Sequence, residues 1–345
     1  SEKVLHLTRS WDDSPIHSII LTHGHVDHTG GLATIDREAQ ARGLPLPQII
    51  GHRDVARRMD RYRLTRGLNS HIQGRQFRIA DYVYPLAHRQ PDRIYDDELT
   101  LEIGGETLEI YHARGETDDA SFIYCPRQRA LISGDFVIWM FPNAGNPRKV
   151  QRHAAEWAAA LRKMMTLDAD VLVPGHGPVI FGRERVQQVL GDGATLLEQI
   201  VDDTLALMNR GAPLDDILHA VKARPDLLAK PYLRPLYDDP EFVVRGIYHL
   251  YAGWFDGQAE TLKPPRKSEL AMEIAALAGG ADRLAARAAE LAAQGRTRVA
   301  LHLAEQAVAA APLDAAIKKA RDEVVKICAQ SEPSLMARAF LTAGP

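Results

Sequence analysis

His23-Gly24-His25-Val26-Asp27-His28, near the start of the chain, carries the clearest chemical signal in this sequence. Four of these six side chains are imidazoles or carboxylates, which zinc prefers as ligands. Side chains two positions apart in an extended segment point the same way, so His23 and His25 can bind the same ion. Asp27 and His28, beyond the turn, are placed for a second ion. The spacing predicts a centre for two metal ions; a polar loop with local hydrogen bonds is the alternative.

The composition excludes several other classes of protein. Hydrophobic residues make up 46% and charged residues 25% of the 345 residues, which is typical of a compact globular protein. A net charge of −3 offers no basic footprint for nucleic acid or anionic lipid. The longest apolar stretches are too short or too charged to span a bilayer. Two cysteines far apart indicate no disulfide framework. We therefore expect no nucleic-acid partner, no membrane span and a cytoplasmic location.

The first half of the chain mixes strands and helices. A short apolar run at 16–21 predicts a buried strand that delivers the histidines at its C-terminal end. Further strands are predicted at 99–103, 107–113, 121–125, 130–133 and 171–173, and helices at 53–62 and 150–165. This pattern indicates a mixed α/β domain, which we assign to residues 1–185.

From about Gly182 apolar residues recur at helical spacing, so residues 186–345 are predicted to form a helical domain. Helices are expected at 186–208 and 214–221. The segment 230–265, rich in Tyr, Trp, Pro and Asp, indicates a tightly packed irregular connection. Four successive helices are predicted at 269–277, 283–292, 297–310 and 315–328. In residues 266–345 these helices are similar to tetratricopeptide-type helix pairs.

His23 to His28 resemble the signature of the metallo-β-lactamase superfamily, which implies a four-layered αββα sandwich. Three later segments resemble the superfamily's other ligand turns. His112-Ala113-Arg114-Gly115-Glu116-Thr117 resembles its Pro-Gly-His-Thr turn, with glutamate in the place of histidine, and Asp118 and Asp119 are nearby alternatives. Ile132-Ser133-Gly134-Asp135 resembles the Gly-Asp turn whose aspartate bridges both metals, and Val173-Pro174-Gly175-His176-Gly177 resembles the Pro-Gly-His-Gly turn.

The resemblance implies two zinc ions, and manganese or iron would also suit so oxygen-rich a site. The implied ligands are His23, His25, Asp27, His28, Glu116, Asp135 and His176. Asp27 and Asp135 are also expected to act in catalysis. Two cations lower the pKa of a shared water and hold a hydroxide at working pH. A dinuclear hydrolase is thus predicted; a scaffold with structural metals is disfavoured because structural zinc sites are normally closed and mononuclear.

The acidic pair Glu116 and Asp135 resembles the ligand set of the alkyl sulfatases within this superfamily. The stretch 141–152 resembles the loop from which those enzymes take an asparagine and an arginine to hold sulfate, which implies Asn143 and Arg148. The alternative is that Arg148 and the basic residues after it begin a surface helix. The expected reaction is hydrolysis of a small anionic ester, an alkyl sulfate, by metal-bound hydroxide. Thioesters, lactones, β-lactams and phosphoesters are the alternative substrates.

The segments 232–242 and 251–257 resemble the helical dimerisation domain that follows the catalytic domain in alkyl sulfatases, which implies a homodimer. The early strands that this family has before the histidine motif are absent from this sequence, so we expect one sheet to lack part of its layer. Trp139, Met140 and Phe141 are candidates for an apolar wall near the metals, although a place in the core is the commoner role for such side chains.

Overall fold

The computed structural model describes residues 1–342. Within them the strands are β1 (Ser18–Ile20), β2 (Gln48–His52), β3 (Arg93–Tyr95), β4 (Glu98–Ile103), β5 (Glu106–His112), β6 (Ser121–Cys125), β7 (Ala130–Gly134), β8 (Val171–Pro174) and β9 (Ile180–Phe181). The helices of the first half are α1 (Glu2–Arg9), α2 (Val26–Thr29), α3 (Leu32–Ala41), α4 (Arg53–Leu64), α5 (Arg66–Phe77) and α6 (Ala154–Thr166). Those of the second half are α7 (Arg183–Met208), α8 (Leu214–Ala220), α9 (Pro225–Leu228), α10 (Pro240–Ala252), α11 (Ala259–Leu262), α12 (Lys267–Ala278), α13 (Ala281–Ala293), α14 (Thr297–Ala310), α15 (Ala315–Ser331) and α16 (Leu335–Thr342).

The strands form two sheets. The first is a parallel sheet in the order β1-β2-β3, and the second runs β4-β5-β6-β7-β8-β9. Neighbours in the second sheet are antiparallel, except that β7 and β8 are parallel. A crossover through α6 joins these two strands, as parallel pairing requires. With three strands, the first sheet is the smaller layer.

The sheets lie face to face between two layers of helices. Ile50 and Tyr95 of the first sheet pack against Leu101, Ile110 and Ile123 of the second. On the outer face of the first sheet, Ile49 packs with Leu32 of α3 and with Val55 and Met59 of α4. On the outer face of the second, Phe122 and Leu131 belong to one cluster with Trp157 and Leu161 of α6. This arrangement confirms the predicted αββα sandwich.

The second half of the chain is helical, as predicted. Helices α7, α8 and α10 extend the core that α6 begins, since Leu197, Ile217 and Val243 join the same apolar cluster. The four predicted helices of the last part are confirmed as α12 to α15, and they build clusters of their own from mostly small residues. Within residues 1–342 no helix has both the length and the apolar character needed to cross a membrane.

One prediction about the second half is wrong. The segment 230–265 contains the thirteen-residue helix α10 rather than only irregular structure. The Asp239 side chain caps this helix by accepting a hydrogen bond from the Glu241 N–H, and Pro240 occupies its first position. Val243, Val244, Ile247 and Tyr248 are buried at helical spacing.

In the first half of the chain, the helix predicted at 150–165 begins later than expected, at Ala154.

Candidate metal centre and adjoining pocket

Loops at the C-terminal ends of strands bring the seven predicted ligand residues together. The loop after β1 carries His23 and leads into α2, whose first turn holds Asp27 and His28. Glu116 follows β5, Asp135 follows β7, and His176 follows β8. Because these strand ends lie at one edge of the sandwich, residues as distant in sequence as Asp27 and His176, 149 positions apart, come within 3.4 Å of each other.

One group of potential ligands consists of His23, His25, Glu116 and Asp135, whose ligand atoms all lie within 4.8 Å of one another. Glu116 Oε2 is 3.2 Å from His25 Nδ1 and 3.7 Å from His23 Nε2. Asp135 Oδ2 is 3.7 Å from His23 Nε2. Burial lowers the pKa of His23 well below its usual value, so this imidazole is neutral, as a metal ligand must be.

The second group consists of Asp27, His28 and His176, again with ligand atoms within 4.8 Å of one another. Asp135 reaches this group with its other oxygen, since Oδ1 is 3.3 Å from His28 Nε2 and 3.6 Å from His176 Nε2. Asp135 therefore presents one carboxylate oxygen to each group, which is the arrangement of a bridging ligand. Asp27 and His176 are exposed, so the second group faces solvent more than the first.

The donor atoms of this centre fit metal ions. Among residues 1–342, the buried atoms without a hydrogen-bond partner include Glu116 Oε2, Asp135 Oδ1 and His28 Nε2. Buried polar atoms are normally paired, because an unpaired one costs desolvation free energy. These three atoms face the interior of the two groups, where cations would satisfy them. Together with the fold, this geometry supports the use of metal ions.

Glu116 is held from behind by two side chains. Arg152 Nη1 is 2.9 Å from Glu116 Oε1 and also donates to the Glu116 main-chain oxygen at 2.5 Å. The Asn143 side-chain amide donates to the same Oε1. Burial alone would raise the pKa of Glu116, but Arg152 and His25 outweigh it and hold the pKa well below its usual value. Glu116 is thus a carboxylate whose Oε2 alone is free for a metal.

Asp118 and Asp119 take structural positions instead of ligand positions. Asp119 is fully buried; its Oδ2 accepts a hydrogen bond from the Gly24 N–H at 2.8 Å, and its Oδ1 accepts one from Arg58 Nε at 2.6 Å. Asp118 forms an ion pair with Arg58. This network fixes the backbone between the first two histidines of the motif. Of the three neighbouring acids, only Glu116 lies in a ligand group.

The turn that carries His176 approaches Asp135 so closely that it requires glycine. A Cβ atom on Gly175 would lie 2.1 Å from Asp135 Oδ1 and 2.8 Å from the Gly134 carbonyl carbon. The Gly175 N–H donates to the Gly134 oxygen at 2.8 Å. The glycine therefore lets the second group close around the bridging carboxylate.

A cavity of about 410 Å³ adjoins both ligand groups. Near the ligands its lining is polar and includes Asn143, Asn146, Lys149 and Arg152. The lining also includes Gln73, Gln76 and the apolar or aromatic side chains Val26, Phe77, Tyr82, Tyr84, Ile138, Met140 and Tyr237. Of the three candidates for an apolar wall, only Met140 lines the cavity. Phe141 has the alternative role in the core, and Trp139 packs against Tyr232.

The structure brings Asn143 to this cavity but not Arg148. Arg148 is exposed, and its guanidinium carbon lies 4.9 Å from the centre of the Phe340 ring. It lines a neighbouring space of about 100 Å³ instead. The turn after Pro147 directs it there, since the Asn146 side chain accepts a hydrogen bond from the Arg148 N–H at 3.2 Å. The basic residues at the cavity are Lys149 and Arg152, for which the sequence indicates only the alternative of a surface helix.

Comparison with known proteins agrees with this geometry. The family model of the metallo-beta-lactamase superfamily matches residues 5–176, and that of alkyl sulfatase dimerisation matches residues 214–344. A linear primary-alkylsulfatase of Pseudomonas sp. is 30% identical over 327 residues, which are 89% of this chain and 62% of that protein. An alkyl/aryl-sulfatase of Saccharomyces cerevisiae is 26% identical over 352 residues, which are 95% of this chain and 54% of that protein.

A solved structure is similar over nearly the whole chain. A stereoselective inverting sec-alkylsulfatase from Pseudomonas sp. superposes with a TM-score of 0.86 at 21% identity, over 99% of this chain and 58% of that one. That likeness shows the fold, and the family model over residues 5–176 shows that the chain belongs to the metallo-β-lactamase superfamily. Within the superfamily the chain is similar to the alkyl sulfatases, whose dimerisation model matches residues 214–344. It spans 62% of the first relative's length and about half of the others'.

Proposed function

We propose that this chain forms the catalytic part of a dinuclear zinc-dependent sulfuric ester hydrolase that cleaves alkyl sulfate monoesters. The observation that carries this proposal is the cavity itself, whose lining combines the two ligand groups, amides and cations with apolar and aromatic side chains. An alkyl sulfate requires both kinds of surface, one for its anionic head and one for its apolar tail. Relatives at 30% and 26% identity that are named as alkylsulfatases support the assignment.

Two sets of residues would hold the ions. His23, His25 and Glu116 would bind the first, His28, Asp27 and His176 the second, and Asp135 would bind both. Two such cations lower the pKa of water towards neutrality and neutralise negative charge on the reacting ester. Zinc suits the imidazoles, and the three carboxylates would also accept manganese or iron. Metal analysis after reconstitution with each ion would identify the one that supports activity.

Asp27 and Asp135 are the carboxylates that we assign to the reaction. Asp135 sets the separation of the two groups, because its two oxygens face different ligand sets. Burial alone would raise the pKa of Asp27, but its hydrogen bond with His176 lowers it. Asp27 is therefore ionised, and its Oδ2, 3.4 Å from His176 Nε2, keeps that imidazole turned towards the cavity.

The first test is sulfate release from dodecyl sulfate by the zinc-loaded protein, with thioester, lactone, β-lactam and phosphoester substrates run in parallel. We expect release from the alkyl sulfate, and a loss of at least about 100-fold in Glu116→Ala, which lacks a ligand. Glu184→Ala, the same change at an exposed position of α7, should retain full activity. If the protein turned over only another ester class, it would still be a metal-dependent hydrolase, but the assignment of alkyl sulfates as its substrates would be wrong.

A further inference from the structure

Three basic residues follow Asn143, and the structure gives each a different environment. Arg148 is exposed, lies over the Phe340 ring and lines the neighbouring space of about 100 Å³, which Lys149 and Arg152 also line, but not the larger cavity. Arg152 is buried and committed to Glu116 through both the side chain and the main chain of that residue. Lys149 lies between them, is half-buried and lines the cavity beside the ligand groups. Only one of the three is therefore a cation that faces the cavity without already serving a ligand.

Lys149 forms no direct ion pair within the part of the chain that the structure describes. Among the side chains of residues 1–342, no carboxylate oxygen comes within the 4.0 Å of an ion pair with its Nζ. Burial, and after it the nearby Arg152, lower the pKa of Lys149 to about 8, against the opposite effect of the more distant Glu116 and Asp27 carboxylates. A cation kept in a partly desolvated position without a partner is unfavourable on its own. An anion that enters the cavity would relieve this cost.

We propose that Lys149, rather than Arg148, is the residue that anchors the anionic head group of the substrate. The identity of that anion as a sulfate monoester rests on the proposed function, whereas the assignment of the anchor rests on the positions of the three basic residues. An ammonium group is a compact charge with three donors on a flexible stem, so it can approach a tetrahedral oxyanion from several directions. Arg152 then remains free to hold Glu116.

The test compares Lys149→Met, which keeps the aliphatic stem but removes the charge, with Arg148→Met, the same loss of charge one residue earlier. Both zinc-loaded variants are assayed for the KM of dodecyl sulfate and, by calorimetry, for the affinity of inorganic sulfate. We expect Lys149→Met to raise the KM and weaken sulfate binding by about 10- to 100-fold, the usual effect of losing a charge-assisted hydrogen bond. Arg148→Met should change both by less than about twofold.

Two further measurements separate the alternatives. Lys149→Arg should restore most of the sulfate affinity, and the zinc content should be the same in all variants. A larger effect of Arg148→Met, equal effects of the two methionine variants, or loss of zinc in Lys149→Met would each overturn the proposal. If the wild type releases no sulfate from any alkyl sulfate, the proposed function fails, while the sulfate titration still decides whether Lys149 binds the anion.

Discussion

Glu116 illustrates how one side chain is divided between support and ligation. Its Oε1 is occupied by Arg152 and Asn143, while its Oε2, buried and unpartnered, faces His25. A residue that orients a ligand from behind pre-forms the site and makes the carboxylate available before the ion arrives. The positions of Glu116 and Arg152 thus link a buried ion pair to metal affinity.

We therefore expect Arg152→Ala to weaken zinc binding by about 10- to 100-fold, as the loss of such a supporting contact usually does. The removal of Arg152 also leaves the buried Glu116 carboxylate without its main partner. Competition with a chromophoric chelator would give the affinities. The zinc affinity of Arg152→Lys should lie between those of the wild type and of Arg152→Ala. Arg148→Ala, at an exposed position four residues earlier, should bind zinc like the wild type. Unchanged affinity in Arg152→Ala would refute this role.

The bridging position of Asp135 leads to a separate prediction about stoichiometry. Glu116→Ala and His176→Ala each remove a ligand from one group only, so each variant should keep about one tightly bound zinc ion per chain. Asp135→Ala removes an oxygen from both groups and should weaken both ions. Elemental analysis after dialysis against a chelator would give the number of zinc ions that each variant retains. Retention of two ions by Asp135→Ala would contradict the bridge.

The sequence predicted seven ligand-type residues, and the structure brings all seven together, because strand ends in a sandwich meet at one edge. The same approach could not tell which basic residue after Asn143 faces the cavity. That choice depends on the turn at Asn146 and on the contact of Arg148 with Phe340, nearly two hundred positions away in sequence. Spacing along a loop carries no information about such distant contacts.

At the level of elements, the loop 141–146 that carries Asn143 is held by the segment 234–243. The Phe141 N–H donates to the Arg234 oxygen at 3.1 Å, and the Gly145 N–H donates to Asp238 Oδ2 at 2.7 Å. The composition of this segment, rich in Pro and Asp, predicts an irregular connection, whereas the structure has the helix α10 there. Asp239 followed by Pro240 is in fact the start signal of a helix.

Gly145 is the tightest point of this contact. A Cβ atom there would lie 2.2 Å from the main chain of Phe242 and Val243, so the loop or α10 would have to move. We expect Gly145→Ala to destabilise the protein by about 1 to 3 kcal/mol, as over-packing does, and to impair sulfate release. Urea unfolding and the activity assay would measure both. Gly67→Ala in α5 is the matched control, because the added methyl group meets nothing within 4 Å. If both variants lost the same stability and activity, the close contact at Gly145 would not be the cause.

Asp238, in the same contact, should give stability a dependence on pH. Burial raises its pKa to about 7, against the effect of the hydrogen bonds that it accepts from Gly145 and Asp239. A carboxyl whose pKa is higher in the folded than in the unfolded state stabilises the fold below its unfolded pKa of about 4, and this contribution is lost as the pH rises through about 7.

Asp238→Asn cannot titrate, so its stability should fall less steeply than that of the wild type between about pH 5 and pH 8. The variant also loses one of the two acceptors for backbone N–H groups, and it should therefore be less stable than the wild type at the acid end. Thermal unfolding of both proteins across this range would measure the difference. Parallel curves would show that Asp238 has the same pKa in both states.

At the scale of the whole molecule, the sandwich followed from a resemblance at the histidine motif and not from periodicity alone. The predicted strands of the second sheet are confirmed, and most of them pair antiparallel. Successive residues pack into different layers, as Phe122 and Ile123 do on opposite faces. The short parallel strands β2 and β3 were missed. Their runs are brief, and proline precedes β2 at Pro45 and Pro47 and β3 at Pro91. Such strands are defined by their neighbours in the sheet more than by their own sequence.

The second half of the chain also reaches the cavity directly. The Leu335 N–H at the start of α16 donates to the Leu236 oxygen at 2.8 Å, and the Met336 N–H donates to the Tyr237 oxygen at 3.1 Å. Tyr237 lines the cavity, and its hydroxyl accepts a hydrogen bond from Gln76 of α5 at 3.1 Å. The helical part therefore shapes the substrate site in addition to any role in assembly.

That assembly is a testable property of the complete fold. The segment that matches the dimerisation family exposes large apolar side chains, among them Leu277 at 89% and Trp254 at 69%. Such side chains are commonly buried when a partner is present. In a twofold dimer the same surface of each subunit faces its copy, so a charge introduced there occurs in both subunits. We propose a homodimer that uses part of this segment.

Light scattering should accordingly give the wild type a mass twice that of one chain at micromolar concentration. At least one of Trp254→Glu and Leu277→Glu should shift the protein towards the monomer, because a carboxylate buried without a partner is costly. Trp11→Glu changes a side chain that is 93% exposed but lies outside the matched segment, and it should leave the dimer intact. A monomeric wild type, or dissociation by Trp11→Glu alone, would place the role of this helical segment elsewhere, namely in holding the loop 141–146 and lining the cavity.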